Sequence, residues 1–121
     1  MVAELISVGT EILLGNIVNT NAAYLAEKCA LLGLSLYHQS VVGDNEARME
    51  DTIRRALERS DVVILTGGLG PTKDDLTKEV TAKVFKKALC EDAHTKERIM
   101  EFFQKIHNGE KITENNWKQA L

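Results

Sequence analysis

The chain has 121 residues, of which 44% are hydrophobic and 27% charged, and its formal net charge is −3 at pH 7. This composition is that of one globular domain and excludes a disordered chain or one embedded in a membrane, since no apolar run approaches the length of a span. Acidic and basic residues are interleaved with no basic stripe, which argues against a nucleic-acid surface.

Three strands that alternate with three helices are predicted over the first two thirds of the chain. The strands are apolar runs at residues 2–8, 34–42 and 61–65, and the last is short, β-branched and typical of a buried parallel strand. The first helix is expected from the capping residues 19–21 to about Leu32, with Gly33 as its stop. The second is expected over 46–59 and the third from the acidic residues 74–75 to about Lys87, whereas residues 12–18 are apolar without a clear period.

Each predicted helix has an apolar face that can cover the sheet. In chain order these faces are Ala22, Leu25, Ala26 and Cys29; Met49, Ile53, Ala56 and Leu57; and Leu76, Val80 and Val84. After an extended connector at 88–90, Asp92 is expected to cap a fourth helix that ends before Gly109 and has Ile99, Phe102, Phe103 and Ile106 on one side. Residues 113–121 predict a last short helix.

The two cysteines and residues 1–8 indicate the cellular compartment in which the protein is expected. Cys29 and Cys90 lie far apart and match neither a C-x-x-C nor a metal-ligand spacing, so we expect two reduced thiols in a cytoplasmic protein. Residues 1–8 are apolar but lack the positive segment that opens a secretory signal.

The order of elements predicts an α/β fold of three layers, αβα, with a mostly parallel sheet. In such sheets ligands bind outside the carboxyl ends of the strands, at a topological switch point. The residues that follow the three strands are polar or acidic, and the sheet would bring them to one edge: Thr10 and Glu11; residues 43–45; and residues 66–75. We call residues 66–75 the glycine loop.

The glycine loop has the composition of a phosphate site. Gly67, Gly68 and Gly70 allow positive φ and leave the amides open to a ligand, and the start of the following helix offers unpaired N–H groups. Asp74 and Asp75 can hold a divalent cation beside the phosphate. The alternative is ordinary turn chemistry, with Thr72 as the N-cap and Asp75 completing a capping box. The spacing fits neither a P-loop nor a dinucleotide-binding fingerprint, whose third glycine would fall on Lys73.

The other polar residues near the strand ends have competing roles. Asp44 is expected to be a helix cap before it is a ligand, and Asn19 and Asn21 are caps first and ligand contacts second. Glu11 has no evident capping role. Lys73 can neutralise a phosphate, although a lysine at a helix start is more often solvated. The histidines are scattered and are not expected to be catalytic: His38, His94 and His107.

Four motifs together resemble one family. Residues 8–15 (VGTEILLG), 19–21 (NTN), 42–45 (VGDN) and 66–75 (TGGLGPTKDD) are similar, in this order, to the N-terminal domain of the competence/damage-inducible CinA family, within the molybdopterin-binding superfamily. The resemblance covers essentially the whole chain. It implies a metal-dependent pyrophosphatase that cleaves ADP-ribose to AMP and ribose 5-phosphate, with a divalent ion such as Mg²⁺ as cofactor, and a homo-oligomer.

The resemblance also implies roles for individual residues. Asp74, Asp75 and Glu11 would be catalytic, and Asp44 would join Asp74 and Asp75 at the metal. The substrate phosphates would contact Thr66, Gly67, Gly68, Gly70, Thr72 and Lys73 of the glycine loop, together with Thr10, Asn19 and Asn21.

The resemblance leaves the function open in two respects. Domains of this family continue past the length of this chain, so residues 1–121 are expected to be one domain that lacks its C-terminal part, and the chain's own activity is in question. The alternatives to the hydrolase are a domain that binds or adenylylates a pterin phosphate in molybdenum cofactor assembly, and a non-catalytic module that binds a nucleotide.

Overall fold

The computed structural model describes residues 1–106 and 114–121. At its centre is a three-stranded parallel sheet, in which β1 (Val2–Val8) lies between β2 (Ser35–Val42) and β3 (Val62–Thr66). The three predicted strands are confirmed to within one residue. The expected α/β class with a parallel sheet is therefore correct.

Helices connect the strands and follow the last of them. Their bounds in chain order are α1 Thr10–Leu13, α2 Thr20–Leu31, α3 Glu46–Arg59, α4 Thr77–Phe85, α5 Ala93–Ile106 and α6 Glu114–Trp117, the last continuing into a 3₁₀ turn at Lys118–Ala120. Thr10 and Glu11, expected in a polar turn, instead begin the short helix α1. No helix in the described part of the chain is long and apolar enough to span a membrane.

Two apolar clusters lie on opposite faces of the sheet, because successive residues of β1 point to opposite sides. Ala3 and Leu5 pack with Cys29 of α2 on one face. Ile6 and Val8 pack on the other face with the α3 residues Met49, Ile53 and Ala56 and the α4 residue Val80. The three predicted layers are thus present. The predicted apolar faces of α2, α3 and α4 point to the core, except that Leu57 of α3 is 37% exposed and Leu76 precedes α4.

A buried carboxylate interrupts the apolar pattern of β1. Glu4 is 1% exposed, and its two oxygens accept hydrogen bonds from Arg59 Nε (2.9 Å) and Nη2 (2.8 Å) and from the Ser60 hydroxyl (2.9 Å). These hydrogen bonds, with that from Arg59 the strongest, hold the pKa of Glu4 below its ordinary value against the opposing effect of burial. The charge is therefore paired within the core, at the point where α3 turns into β3.

The second half of the chain departs from the predictions at both ends of one helix, α4. α4 begins at Thr77 and ends at Phe85, where Lys86 adopts a left-handed conformation, so it is shorter at both ends than predicted. Asp92 does cap α5, since its carboxylate accepts from the Thr95 N–H at 2.9 Å. The predictions for His107, Gly109 and Thr113 fall outside the residues that the structure describes.

Candidate functional site

The carboxyl ends of the three strands meet at one edge of the sheet, as predicted. Val8 pairs with Val42, and the neighbouring Ser7 pairs with Thr66, which is half-buried at the end of β3. The Gly9 N–H continues the pairing with a hydrogen bond of 2.9 Å to the carbonyl of Val42. The loops after β1, β2 and β3 therefore start side by side.

Two glycines carry the loop across the end of β1. Gly67 and Gly68 have φ of +87° and +67°, a region that favours glycine. A Cβ atom on Gly68 would lie 2.1 Å from the Thr77 hydroxyl, and one on Gly67 would overlap the backbone of Val8. Thr77 also ties the loop to α4, because its hydroxyl donates to the Gly67 carbonyl (2.7 Å) and its N–H to the Gly68 carbonyl (3.2 Å). The glycines are required where strand, loop and helix touch.

The second half of the glycine loop is a turn closed by Asp75. Its Oδ2 accepts hydrogen bonds from the Thr72 N–H (3.0 Å) and the Thr72 hydroxyl (2.7 Å). The Thr72 hydroxyl holds the pKa of Asp75 below its ordinary value; the N–H groups of Thr72 and Gly70 and the charge of Lys118 act in the same direction, and burial opposes them. Asp75 is thus held as a carboxylate by the turn itself.

This turn corrects the expected start of α4. Thr72 is not the helix N-cap, and Asp74 and Asp75 precede the helix instead of lying in its first turn. Half of a capping box is present, from the Thr72 N–H to Asp75, but it closes a separate turn. The N-cap position belongs to Leu76, whose side chain provides no cap. Lys73 and Asp74, in the middle of this turn, are exposed.

Thr10 and Asp44 bridge the ends of β1 and β2. The Thr10 hydroxyl donates to Asp44 Oδ2 and accepts from the Asp44 N–H, both at 3.2 Å. The expectation that Asp44 caps α3 is wrong, because Asn45 accepts from the Arg48 N–H at 3.0 Å and is the cap. Glu11 folds back over the start of α1, where its Oε1 would be 2.7 Å from a Cβ atom on Gly9.

The two asparagines at the start of α2 differ. Asn19 is the N-cap, as expected: its Oδ1 accepts from the Ala22 N–H (3.2 Å), and its Nδ2 donates to the buried Ser7 hydroxyl (2.8 Å). Both polar ends of this amide are therefore occupied by the protein. Asn21 lies exposed in the first turn of α2.

The acidic residues predicted to bind a metal do not form a metal-binding site by themselves in the part of the chain that the structure describes. Within residues 1–106 and 114–121, no three Asp, Glu, His or Cys side chains are placed to share one ion. Asp75 is engaged by Thr72 and Asp44 by Thr10, and the proposed ligands do not fit an all-protein site. Mg²⁺ usually keeps several waters and takes one or two carboxylates with substrate phosphates, so a shared site with the ligand stays a prediction.

Sequence reasoning missed the cation that lies against the glycine loop. Lys118 Nζ donates to the backbone carbonyls of Thr72 (2.5 Å) and Asp75 and lies 3.5 Å from Glu79 Oε1 of α4. Nothing in the local sequence marks this lysine, because its partners lie more than 35 residues earlier in the chain.

Comparison with known proteins identifies the family of this chain. Residues 4–118 match the family described as probable molybdopterin binding domain. Putative competence-damage inducible proteins of Caldanaerobacter subterraneus and Clostridium beijerinckii are 54% and 51% identical to this chain over 121 residues. The chain spans 29% of the length of these curated relatives.

Two solved structures share the fold. The protein CinA from Thermoplasma acidophilum, described as of unknown function, superposes with a TM-score of 0.81 at 37% identity, covering 98% of this chain and 68% of that one. The molybdopterin biosynthesis enzyme MoaB from Thermus thermophilus superposes with a TM-score of 0.66, and the superposition covers 98% of this chain and 70% of the MoaB chain. At 17% identity the likeness to MoaB concerns the fold alone.

Proposed function

The chain belongs to the probable molybdopterin binding domain family, and from that premise we propose that its glycine loop binds the phosphate of a small phosphorylated pterin or nucleotide. The observation that carries the proposal is the close approach of the loop to the end of β1, which the lack of side chains at Gly67 and Gly68 allows. This passage lies at the edge of a parallel sheet where ligands of α/β proteins bind.

The charges around the loop suit a phosphate held from one side. Lys73 is exposed in the turn and supplies a positive charge, and backbone N–H groups of the loop supply donors. The negative charge of Asp75 is partly offset within the loop, because its carboxylate accepts hydrogen bonds from the N–H and hydroxyl groups of Thr72. The ring of the ligand, pterin or adenine, would then extend from the loop over the strand ends.

Calorimetric titration with AMP and with a pterin monophosphate tests this proposal. We expect saturable binding of at least one of them at one site per chain. Lys73→Met should weaken that binding about tenfold, the effect of one charge-assisted hydrogen bond, whereas the exposed Lys87→Met serves as the matched control and should leave it unchanged. The absence of saturable binding by either compound would contradict the proposal.

Hydrolysis of ADP-ribose, the activity implied by the resemblance of the four motifs to the CinA family, is the second candidate, and the exposed carboxylate of Asp74 in the loop is the observation that favours it. The reaction adds water across the diphosphate and yields AMP and ribose 5-phosphate. Among the described residues no three acids are placed to share an ion, so we expect a Mg²⁺ ion to take part of its oxygen ligands from the substrate phosphates.

Release of AMP from ADP-ribose, with and without Mg²⁺, separates the two candidates. A hydrolase should release AMP only with the ion, and Asp74→Asn should lower its turnover by orders of magnitude while the fold is kept. Asp51→Asn, on the exposed side of α3, is the control. If the protein binds AMP but does not hydrolyse ADP-ribose, the binding function is supported and the hydrolase function is rejected.

A further inference from the structure

Residues 118–121 are held beside the glycine loop by hydrogen bonds to their backbone carbonyls. Lys78 of α4 donates to the carbonyls of Lys118 (2.6 Å) and Leu121 (3.3 Å). The Asp92 N–H donates to the carbonyl of Ala120 at 2.7 Å. The backbone of residue 118 is therefore fixed, and its side chain, 18% exposed, reaches under the turn formed by residues 72–75.

The contacts of Lys118 orient two peptide groups of the loop. Its ammonium group donates to the carbonyls of Thr72 and Asp75, and the Thr72 carbonyl also accepts from the Asp75 N–H at 3.2 Å. In a planar trans peptide the N–H group of the next residue points opposite to the carbonyl. The N–H groups of Lys73 and Leu76 must therefore point away from Lys118, and neither has an acceptor among the residues that the structure describes.

The same ammonium group also offsets negative charge close to the loop. Glu79 Oε1 lies 3.5 Å from Lys118 Nζ, and the Asp75 carboxylate is within the same turn. Without Lys118 the carboxylate of Glu79 and the carbonyl oxygens of Thr72 and Asp75 would lose the cation that they share, and their negative potential would repel an anion. With Lys118, the carbonyl dipoles and the carboxylate of Glu79 face a cation, and the N–H groups are left for the other side.

We propose that Lys118 is a positioning residue of the glycine loop, which turns the N–H groups of Lys73 and Leu76 towards a bound phosphate. The inference rests on the proposed phosphate binding, but the hold of Lys118 on the loop can be measured without a ligand. Lys118 does not itself touch the ligand and acts through the backbone of the turn.

Two variants at this position separate charge from packing. Lys118→Met keeps the aliphatic stem and removes the ammonium group, and Lys118→Arg keeps a cationic donor. Lys83→Met is the matched control, because Lys83 also lies on the α4 side and pairs with Glu46 and Glu50 but makes no described contact with the loop.

The first measurement is amide hydrogen exchange of the ligand-free proteins. We expect Lys118→Met to speed exchange at the Thr72 and Asp75 amides roughly tenfold or more, as the loss of charge-assisted hydrogen bonds allows the turn to open. Lys118→Arg should restore most of the protection, and Lys83→Met should leave it at the wild-type level. Wild-type protection in Lys118→Met would overturn the inference.

The second measurement is the affinity for AMP and for a pterin monophosphate at a temperature where all variants are folded. Lys118→Met should bind roughly tenfold more weakly, with rescue by Lys118→Arg. Faster exchange with unchanged affinity would show a purely structural role and also overturn the inference. If the wild-type protein binds neither compound, the proposed function fails, whereas the exchange rates still decide whether Lys118 orders the loop. Should Lys118→Met fail to fold, Lys118→Gln replaces it with the same expectations.

Discussion

The backbone of Gly67 lies so close to Val8 that a Cβ atom on Gly67 would be 2.1 Å from the Val8 carbonyl oxygen. The loop after β3 is thus pressed onto the end of β1, and the conformation at Gly67, with φ of +87°, is one that other residues rarely adopt. Both constraints act at the same residue, so its identity couples the fold to the candidate site.

Gly67→Ala should therefore lower the free energy of unfolding by about 2 kcal/mol or more, since strain in φ and a backbone clash add up. Urea denaturation followed by circular dichroism measures this change. Gly15→Ala is the control: Gly15 has φ of +76° but nothing within 4 Å of its added Cβ, so only the φ strain, about 1 kcal/mol, is expected. Equal losses in the two variants would show that the contact with Val8 is unimportant.

Thr72→Val should raise the pKa of Asp75 towards its ordinary value, because the hydroxyl that stabilises the carboxylate is lost. The ¹³C shift of the Asp75 carboxyl, followed against pH, measures it. Ligand affinity should fall in parallel as the turn loosens.

Thr95→Val is the natural control for this variant. Thr95 donates its N–H and its hydroxyl to Asp92 at 2.9 and 2.5 Å, the same pattern in reverse chain order at the start of α5. It should raise the pKa of Asp92 and leave both Asp75 and ligand binding unchanged. An unaltered Asp75 pKa in Thr72→Val would contradict the role given to the hydroxyl.

Glu4→Gln should cost about 2 kcal/mol of stability at neutral pH, because Arg59 and Ser60 lose a charged acceptor within the core. Chemical denaturation of Glu4→Gln and of Asp51→Asn, which alters an exposed ion pair on α3, gives the comparison. Similar stability of the wild type and Glu4→Gln would mean that the buried charge contributes nothing net.

The contribution of Glu4 should also depend on pH in a defined direction. Its pKa is lowered in the folded protein, so its stabilisation is complete above the unfolded-state pKa of about 4.3 and is lost as the pH falls through the lower folded value. The stability difference between the wild type and Glu4→Gln should be constant from pH 7 to about pH 5 and shrink below pH 4. A difference that grows on acidification would refute this assignment.

Sequence patterns predicted the elements whose signals are local. The apolar runs of β1 and β3 and the cap at Asn19 need only neighbouring residues, and each was found within one residue of its expected place. The convergence of the strand ends followed from the order of elements alone.

The predictions failed where two neighbouring residues could both act as a helix cap, or where a side chain binds a residue far away in the chain. Asp75 closes a turn with Thr72 and so delays the start of α4, and Asn45 caps α3 in place of the adjacent Asp44. The pairing of Glu4 with Arg59 and the reach of Lys118 to the loop depend on packing between residues far apart in the chain, which no local pattern reveals.

The position of β1 in the middle of the sheet has a consequence for folding. β1 pairs with β2 across α2, and with β3 across both α2 and α3, so both edges of the central strand depend on partners distant in sequence. Pairings between residues distant in sequence form late because loop closure costs entropy first. The glycine loop, which requires β3 and then Lys118, is thus expected to be among the last parts to become ordered, after the hydrophobic layers have already closed.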